Sequence, residues 1–457
     1  MYRTERTSNR RPPADPGRAR APVFAPRRFA AWLTLAIASL GSARARAELP
    51  FESAPIHYLT FPLDDPVARL NAKLERGEVT LNYDEARGYL PAVLEQLHVP
   101  VSSQVLVFSK TSFQRTKISR RAPRAVYFND ETYVGFVQHG DVVELSTTDP
   151  RQGAVFYTLG QRKVDKPLFA RQTHDCLQCH ASSKTQEVPG HLVRSVYPDL
   201  SGMPVFNAGT FTTSHESPLK ERWGGWFVSG RHGAQVHMGN VVVTDRRRPE
   251  RLDTVVGANV TDLSSLVDTL PYLTGHSDIV ALMVLEHQTK AHNLITAANY
   301  HARLALEYEK GLSQALGKTD DALSQSTQRR IQGSADKLLR YLLFVDEAPL
   351  EGKIEGTSGF AEEFAARGPR DRHGRSLRDF DLDRRLFKYP CSYEIYSECF
   401  DALPDVVRIY LDRRLYDVLT GHDASPDFTR LAAAERQAIL EILRDTKPGL
   451  PDYWRRK

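Results

Sequence analysis

The chain has 457 residues, of which 41% are hydrophobic and 26% are charged. This composition is that of a globular protein and excludes a wholly disordered, collagen-like or coiled-coil chain. The formal net charge of +5 comes from the first 47 residues, because residues 48–457 alone have a net charge near −3. Without that basic segment the chain has no electrostatic case for binding nucleic acid.

The basic segment predicts an export signal over residues 1–47. Its basic part ends at Arg28, an apolar run follows over residues 29–40, and an A-x-A cleavage pattern ends at Ala47. Twelve apolar residues would span about 18 Å as a helix, which is short of the ~30 Å hydrocarbon core of a bilayer. We therefore expect a signal peptide cleaved near Ala47 and a periplasmic protein without a stable membrane span. An uncleaved leader that anchors the chain is the alternative.

Strand-like patterns dominate residues 48–270. A short helix comes first, begun by Asp65-Pro66 and ended by Gly77. Asn129-Asp130 lies between two apolar runs and predicts a hairpin. The predicted strands cover residues 105–108, 125–128, 133–137, 142–145, 154–157, 204–212, 222–229 and 236–243.

Helical patterns dominate residues 271–457. Residues 277–310 contain neither Gly nor Pro, so they predict one long helix that ends at Gly311. Further helices are predicted at 335–345, 404–419 and 431–443, with a connector at 317–333 and a surface loop at 355–375. We expect an α+β fold, in which a β-rich region (48–270) bears the functional site and a helical region (271–457) packs on or beside it.

One short motif stands out, Cys176-Leu-Gln-Cys179-His180. A chain of this composition would contain such a pattern by chance about 0.001 times. The motif resembles the haem-attachment sequence C-x-x-C-H of c-type cytochromes. That resemblance implies that Cys176 and Cys179 each form a thioether with one haem c, and that His180 is the proximal iron ligand. Because the motif occurs once, we expect a single haem.

Two other interpretations of the cysteines are a redox-active C-x-x-C pair and half of a zinc site. A redox pair of the thioredoxin type would need a βαβ context, and a zinc site would need a second close pair. The other two cysteines, Cys391 and Cys399, have seven residues between them. A disulfide between them is compatible with export, but a continuous helix would hold their Cα atoms about 12 Å apart. That pairing therefore requires a turn and is left open.

The second axial ligand of the iron is a separate question. Met238 lies 58 residues after His180, a separation that resembles that of small cytochromes with a thioether ligand. We expect Met238 to be this ligand, with His237 and Met203 as alternatives. A distant histidine such as His287, or an open coordination site, also remains possible. Each methionine has the ordinary alternative of a core side chain.

Several longer stretches are similar to a group of large exported bacterial proteins with one c-type haem. They cover residues 103–112, 123–130, 222–233, 237–241 and 446–454. No settled activity belongs to that group, so the similarity implies the cofactor alone. Electron transfer with a redox partner protein is the first expectation. A haem-c-dependent oxidoreductase with an open distal site, or a haem-based redox or gas sensor, is the alternative.

Overall fold

The computed structural model describes residues 51–317, 322–423 and 425–455. The expected signal peptide, residues 1–47, lies outside the described residues. The described residues belong to one compact unit. Within the described ranges, no helix combines the length and the apolar character that crossing a membrane requires.

Strands occupy the first half of the described chain and helices most of the second, which confirms the expected α+β class. The strands are β1 (Val105–Val107), β2 (Arg124–Phe128), β3 (Thr132–Val137), β4 (Val142–Asp149), β5 (Gly153–Gly160), β6 (Ala170–Arg171), β7 (Arg194–Val196), β8 (Thr210–Thr212) and β9 (Trp226–Phe227). The helices are α1 (Pro66–Arg76), α2 (Leu90–Gln96), α3 (Leu177–His180), α4 (Ile279–Ala315), α5 (Gln325–Leu342), α6 (Phe360–Ala366), α7 (Glu398–Asp401), α8 (Asp405–Thr420) and α9 (Ala433–Thr446).

Helix α1 has the ends that the sequence predicts. The Asp65 carboxylate accepts hydrogen bonds from the backbone N–H groups of Val67 and Ala68, which have no partner inside the helix. Gly77 adopts φ +69°, a left-handed conformation that ends the helix without a Cβ clash. The helix buries one apolar face, formed by Val67, Leu70 and Leu74.

A seven-stranded antiparallel sheet forms the centre of the first half, in the order β6-β5-β4-β3-β2-β1-β9. The hairpin predicted at Asn129-Asp130 joins β2 to β3, and the Asn129 N–H donates to the Thr132 carbonyl across 3.0 Å. Strands β7 and β8 pair separately as a two-stranded sheet.

The two faces of the large sheet bury different partners, because successive strand residues point to opposite sides. One face packs against α1 and α2 through residues that include Leu106, Tyr127, Val134 and Leu145. The other face meets α4 through Val126, Phe128 and Tyr133. On this second face, Phe156 belongs to a smaller cluster that also contains Leu177 of α3.

Helix α4 is 37 residues long and begins at the N-cap Asp278. Helices α5, α8 and α9 share one apolar core with α4 and with the second face of the sheet. The part of α4 that lies against the sheet is unusual, because it buries several polar side chains. These are Glu286, His287, Gln288, His292, Asn293 and Thr296. Buried polar groups need hydrogen-bond partners, and this stretch bonds both to the first half of the chain and to residues 392–394.

Three expectations for the helical half are wrong. The long helix does not stop at Gly311, because Gly317, with φ +63°, is the left-handed residue that follows its end at Ala315. The connector expected at 317–333 contains the start of α5, whose N-cap Ser324 accepts from the Thr327 N–H. The loop expected at 355–375 contains α6, which is fixed by the buried rings of Phe360 and Phe364.

Three strand expectations are also wrong wholly or in part. Residues 236–243 belong to none of the nine strands given above, because the chain bends there: His237 Nδ1 accepts from the Gly239 N–H, and Asn240 has φ +69°. Of residues 222–229 only Trp226–Phe227 are extended, because Trp223 also has a positive φ, +66°. Of residues 204–212 only Thr210–Thr212 pair as a strand. A residue in the left-handed conformation bends the chain and interrupts the hydrogen-bond ladder between strands.

Candidate functional site

The C-x-x-C-H residues form α3, a single short helical turn, together with its N-cap Cys176. Leu177, between the cysteines, is buried against the cluster that contains Phe156 and holds the turn on the sheet. Cys179 is exposed and Cys176 is partly buried, and both thiols are free. One helical turn therefore presents both sulfurs and the His180 imidazole without burying them completely.

His180 is held by two hydrogen bonds with Gly190. Its Nδ1–H donates to the Gly190 carbonyl across 2.9 Å, and its own backbone carbonyl accepts from the Gly190 N–H across 2.8 Å. The Phe156 ring lies beside the imidazole, with 4.9 Å between ring centroids. With Nδ1 protonated and engaged, the lone pair of a neutral ring is on Nε2, which has no hydrogen-bond partner among the described residues.

Burial lowers the pKa of His180 and outweighs the hydrogen bond to Gly190, which raises it; the nearby Arg124 lowers it and Glu144 raises it. The neutral imidazole, which is the form that binds a metal, is therefore the stable form near neutral pH. Arg124 reaches across the sheet to Glu144, with 2.9 Å between Nη2 and the carboxylate. Gly135 leaves room for this path, since a Cβ there would overlap the Arg124 guanidinium.

Cys176 does not have the lowered thiol pKa of a reactive dithiol pair. Burial raises the pKa of Cys176 to about 11, and the acidic Glu144 and Asp175 raise it in the same direction. Reactive C-x-x-C thiols have a lowered pKa, because the thiolate is the attacking form. Within the described ranges there is also no cluster of three or more His, Cys, Asp or Glu side chains arranged to hold a metal ion.

The expected distal ligand Met238 lies in a different environment from α3. It is 3% exposed, and its sulfur accepts from the Ser195 hydroxyl of β7 at 3.7 Å. Its Cε lies against Gly224. The adjacent His237 is 1% exposed and bonds to the Gly239 N–H. These contacts place both residues around β7 and the Trp223–Trp226 turn.

Met203 is more accessible than Met238. It is partly buried and lines an open cleft of about 600 Å³ together with Phe206 and Arg246. Arg246, Arg247 and Arg248 beside it are all exposed. His287, in contrast, is fully buried in α4, where it contacts His215 and Ser392, with 2.7 Å to each.

The structure adds residues that sequence reasoning missed. His191 follows Gly190 and is 4% exposed, with its ring 4.5 Å from that of Tyr133. The Tyr133 hydroxyl lies 3.0 Å from His292 Nδ1, and His292 Nε2 lies 3.1 Å from the Glu394 carboxylate. A buried chain of contacts therefore runs from His191 into the helical half, first through ring packing against Tyr133 and then through hydrogen bonds. No local sequence pattern marks it, because its members come from four distant segments.

The remaining cysteines, Cys391 and Cys399, are free and buried. Burial raises the pKa of Cys391 to about 12 and that of Cys399 in the same direction, so both thiols are protonated. The structure therefore contains no disulfide between them.

The chain matches no protein-family model, no curated protein and no solved structure. Its function is therefore inferred from the residues on α3 and around Gly190. The central features are two free thiols three positions apart and an adjacent imidazole whose Nε2 is available.

Proposed function

We propose that Cys176, Cys179 and His180 hold one covalent haem c, and that the protein is an exported cytochrome that transfers electrons. The observation that carries this proposal is the hydrogen bond from His180 Nδ1–H to the Gly190 carbonyl, 2.9 Å long. A histidine that binds a metal through Nε2 generally donates its other N–H to a carbonyl or carboxylate, which fixes the tautomer and the ring orientation. In this chain that arrangement directly follows two cysteines at haem-attachment spacing.

The residues on α3 fit a haem c in three respects. The thiols are free, Cys179 exposed and Cys176 partly buried, so both sulfurs are available for thioether bonds. The His180 Nε2 has no competing partner among the residues that the structure describes. Gly190 and Phe156 hold the imidazole in one orientation. The bound haem would supply reversible one-electron chemistry.

The chain itself contributes binding, orientation and tuning. Cys176 and Cys179 would anchor the haem. The Gly190 carbonyl accepts a hydrogen bond from His180 Nδ1–H, which makes the imidazole a stronger electron donor at Nε2. Because Cys179 is exposed, a haem attached to it would be accessible to a redox partner protein. The basic leader and its A-x-A pattern support a periplasmic location, in which haem attachment to cysteines takes place.

Met238 remains the proposed distal ligand. A thioether stabilises Fe(II) relative to Fe(III), and a ligand set of one imidazole and one thioether suits an electron carrier. The Ser195 hydroxyl bond to the Met238 sulfur is weak, at 3.7 Å, so this contact opposes ligation only slightly.

A haem-dependent oxidoreductase is the second candidate. The observation that favours it is the burial of Met238, at 3% exposure, among Ser195 and Gly224. If Met238 keeps these contacts in the haem-loaded protein, the distal position is free for a substrate. Cyanide binding to the ferric protein distinguishes the candidates, because only an open site binds it at once.

The cofactor is tested by expressing the full chain with a haem-attachment system and extracting it with acid–acetone. We expect the wild type to retain its haem colour after denaturation and the Cys176→Ala, Cys179→Ala double variant to lose it. The matched control is Cys391→Ala, Cys399→Ala, which also removes two thiols and should retain the colour. Extraction of haem from the wild-type chain would overturn the proposal.

A further inference from the structure

The side chain of Asn293, on α4, binds the backbone next to the candidate haem ligand. Its Oδ1 accepts from the His191 N–H, and its Nδ2 donates to the His191 carbonyl, each across 2.8 Å. Asn293 is 3% exposed and comes from a helix 102 residues further along the chain. A buried amide with both of its ends bonded to one residue holds that residue in one position.

One of these two bonds reaches the peptide unit that binds His180. The Gly190 carbonyl and the His191 N–H belong to the same planar amide. His180 Nδ1–H donates to one side of this amide, 2.9 Å away, and Asn293 Oδ1 accepts on the other side, 2.8 Å away. The three groups therefore form a continuous hydrogen-bond chain from the imidazole to α4.

Such a chain is cooperative. An amide whose N–H is bonded to a strong acceptor has a more polarised carbonyl, which accepts a stronger hydrogen bond. The packing is also tight, since a Cβ on Gly190 would overlap Asn293 Oδ1 and lie 2.9 Å from Thr185 Cβ. The amide therefore has little freedom to rotate away from His180.

We propose that Asn293 is a positioning residue that sets the strength of the His180 Nδ1 hydrogen bond and, through it, the reduction potential of the haem. The proposal rests on the proposed function, because it requires His180 to bind the iron. A stronger bond at Nδ1 makes the imidazole a better electron donor, which stabilises Fe(III) and lowers the potential. Helix α4 thereby acts on His180 through the amide that joins Gly190 and His191.

The experiment compares reduction potentials of haem-loaded protein in three variants. Asn293→Ala removes the acceptor, so the potential should rise. Asn293→Asp retains an oxygen acceptor for the His191 N–H but loses the Nδ2 donor to the His191 carbonyl, and the potential should equal or fall below that of the wild type. Asn299→Ala is the matched control, since it removes another buried asparagine of α4, one that donates to the Ala402 carbonyl, and should leave the potential unchanged.

A second readout covers variants that fold poorly. The iron–histidine stretching frequency reports the strength of the Nδ1 bond directly, and it is measured for each variant in a Met238→Ala background, where the ferrous iron would lack its sixth ligand. We expect it to fall in Asn293→Ala and to be retained in Asn293→Asp. If Asn293→Ala keeps the wild-type potential and frequency, Asn293 is only structural and the inference is overturned. Wild-type protein without covalent haem would instead contradict the proposed function itself.

Discussion

Replacing Gly190 with alanine should strongly destabilise the protein, because the new methyl group has no space. A Cβ at this position would overlap Asn293 Oδ1 and lie 2.9 Å from Thr185 Cβ. Asn293 does not move freely, since its amide is bonded to both backbone groups of His191. Overpacking costs about 1–3 kcal/mol, and each of the two displaced hydrogen bonds adds about 1 kcal/mol. We therefore expect the free energy of unfolding to fall by about 3–5 kcal/mol.

Urea denaturation of the haem-loaded protein, followed by far-ultraviolet circular dichroism, measures this loss. Gly160→Ala is the control, because a Cβ there has no heavy atom within 4 Å, and it should change the stability by less than about 0.5 kcal/mol. Adding Asn293→Ala to Gly190→Ala makes room for the methyl group, so the double variant should lose less than the two single losses together. A Gly190→Ala protein within about 1 kcal/mol of wild type would refute the tight packing between Gly190 and α4.

Three further predictions concern separate features of the protein. Met238→Ala should abolish the sulfur-to-iron charge-transfer absorption of the ferric haem and lower its reduction potential. His237→Ala should leave both nearly unchanged. A wild-type spectrum without that absorption would contradict thioether ligation. Burial raises the pKa of Glu347 from an ordinary value of 4.5 to about 7. Between these pH values the native state binds more protons than the unfolded chain, so the free energy of unfolding should fall as pH rises through that window. Denaturation curves at pH 5 and pH 8 measure this fall, and in Glu347→Gln it should be smaller by up to about 3 kcal/mol. A variant whose free energy of unfolding depends on pH as in the wild type would contradict the raised pKa. Gly333→Ala should stabilise α5 by up to about 1 kcal/mol, because a Cβ there meets nothing within 4 Å; a lowered melting temperature would contradict this.

Features with local causes could be predicted from the sequence. The ends of α1 follow from Asp65, Pro66 and Gly77, which act within one turn of the helix. The hairpin between β2 and β3 follows from Asn129, whose side-chain oxygen accepts from the N–H groups of Glu131 and Thr132. Each of these signals depends on neighbours in the chain, so no tertiary contact has to be known.

Features decided by tertiary packing could not be predicted. Helix α6 lies in a stretch rich in Gly and charged residues, and it is stabilised by two rings, Phe360 and Phe364, that stack on each other with centroids 5.5 Å apart. Residues 236–243 look extended but bend, because Asn240 bonds to the backbone of Val228 and Gly257. Hydrophobic pattern alone does not distinguish such a segment from a strand.

The candidate site shows the same division. Cys176, Cys179 and His180 are adjacent in the chain, so their spacing alone indicated haem attachment. Gly190 is ten positions from His180, and Asn293 is 102 positions from His191, so neither contact leaves a pattern in the sequence. The position of Met238 is set by its packing against Ser195 and Gly224, and no spacing in the sequence indicates these contacts.

The central claim, that Cys176 and Cys179 bind a haem covalently, is tested most directly by the intact mass of the denatured chain. Protein exported from a host with a haem-attachment system should have the mass of residues 48–457 plus one haem. The same preparation of the Cys176→Ala, Cys179→Ala variant should have the mass of the polypeptide alone. A wild-type chain with the mass of the bare polypeptide, from a host that loads other c-type cytochromes, would contradict the account.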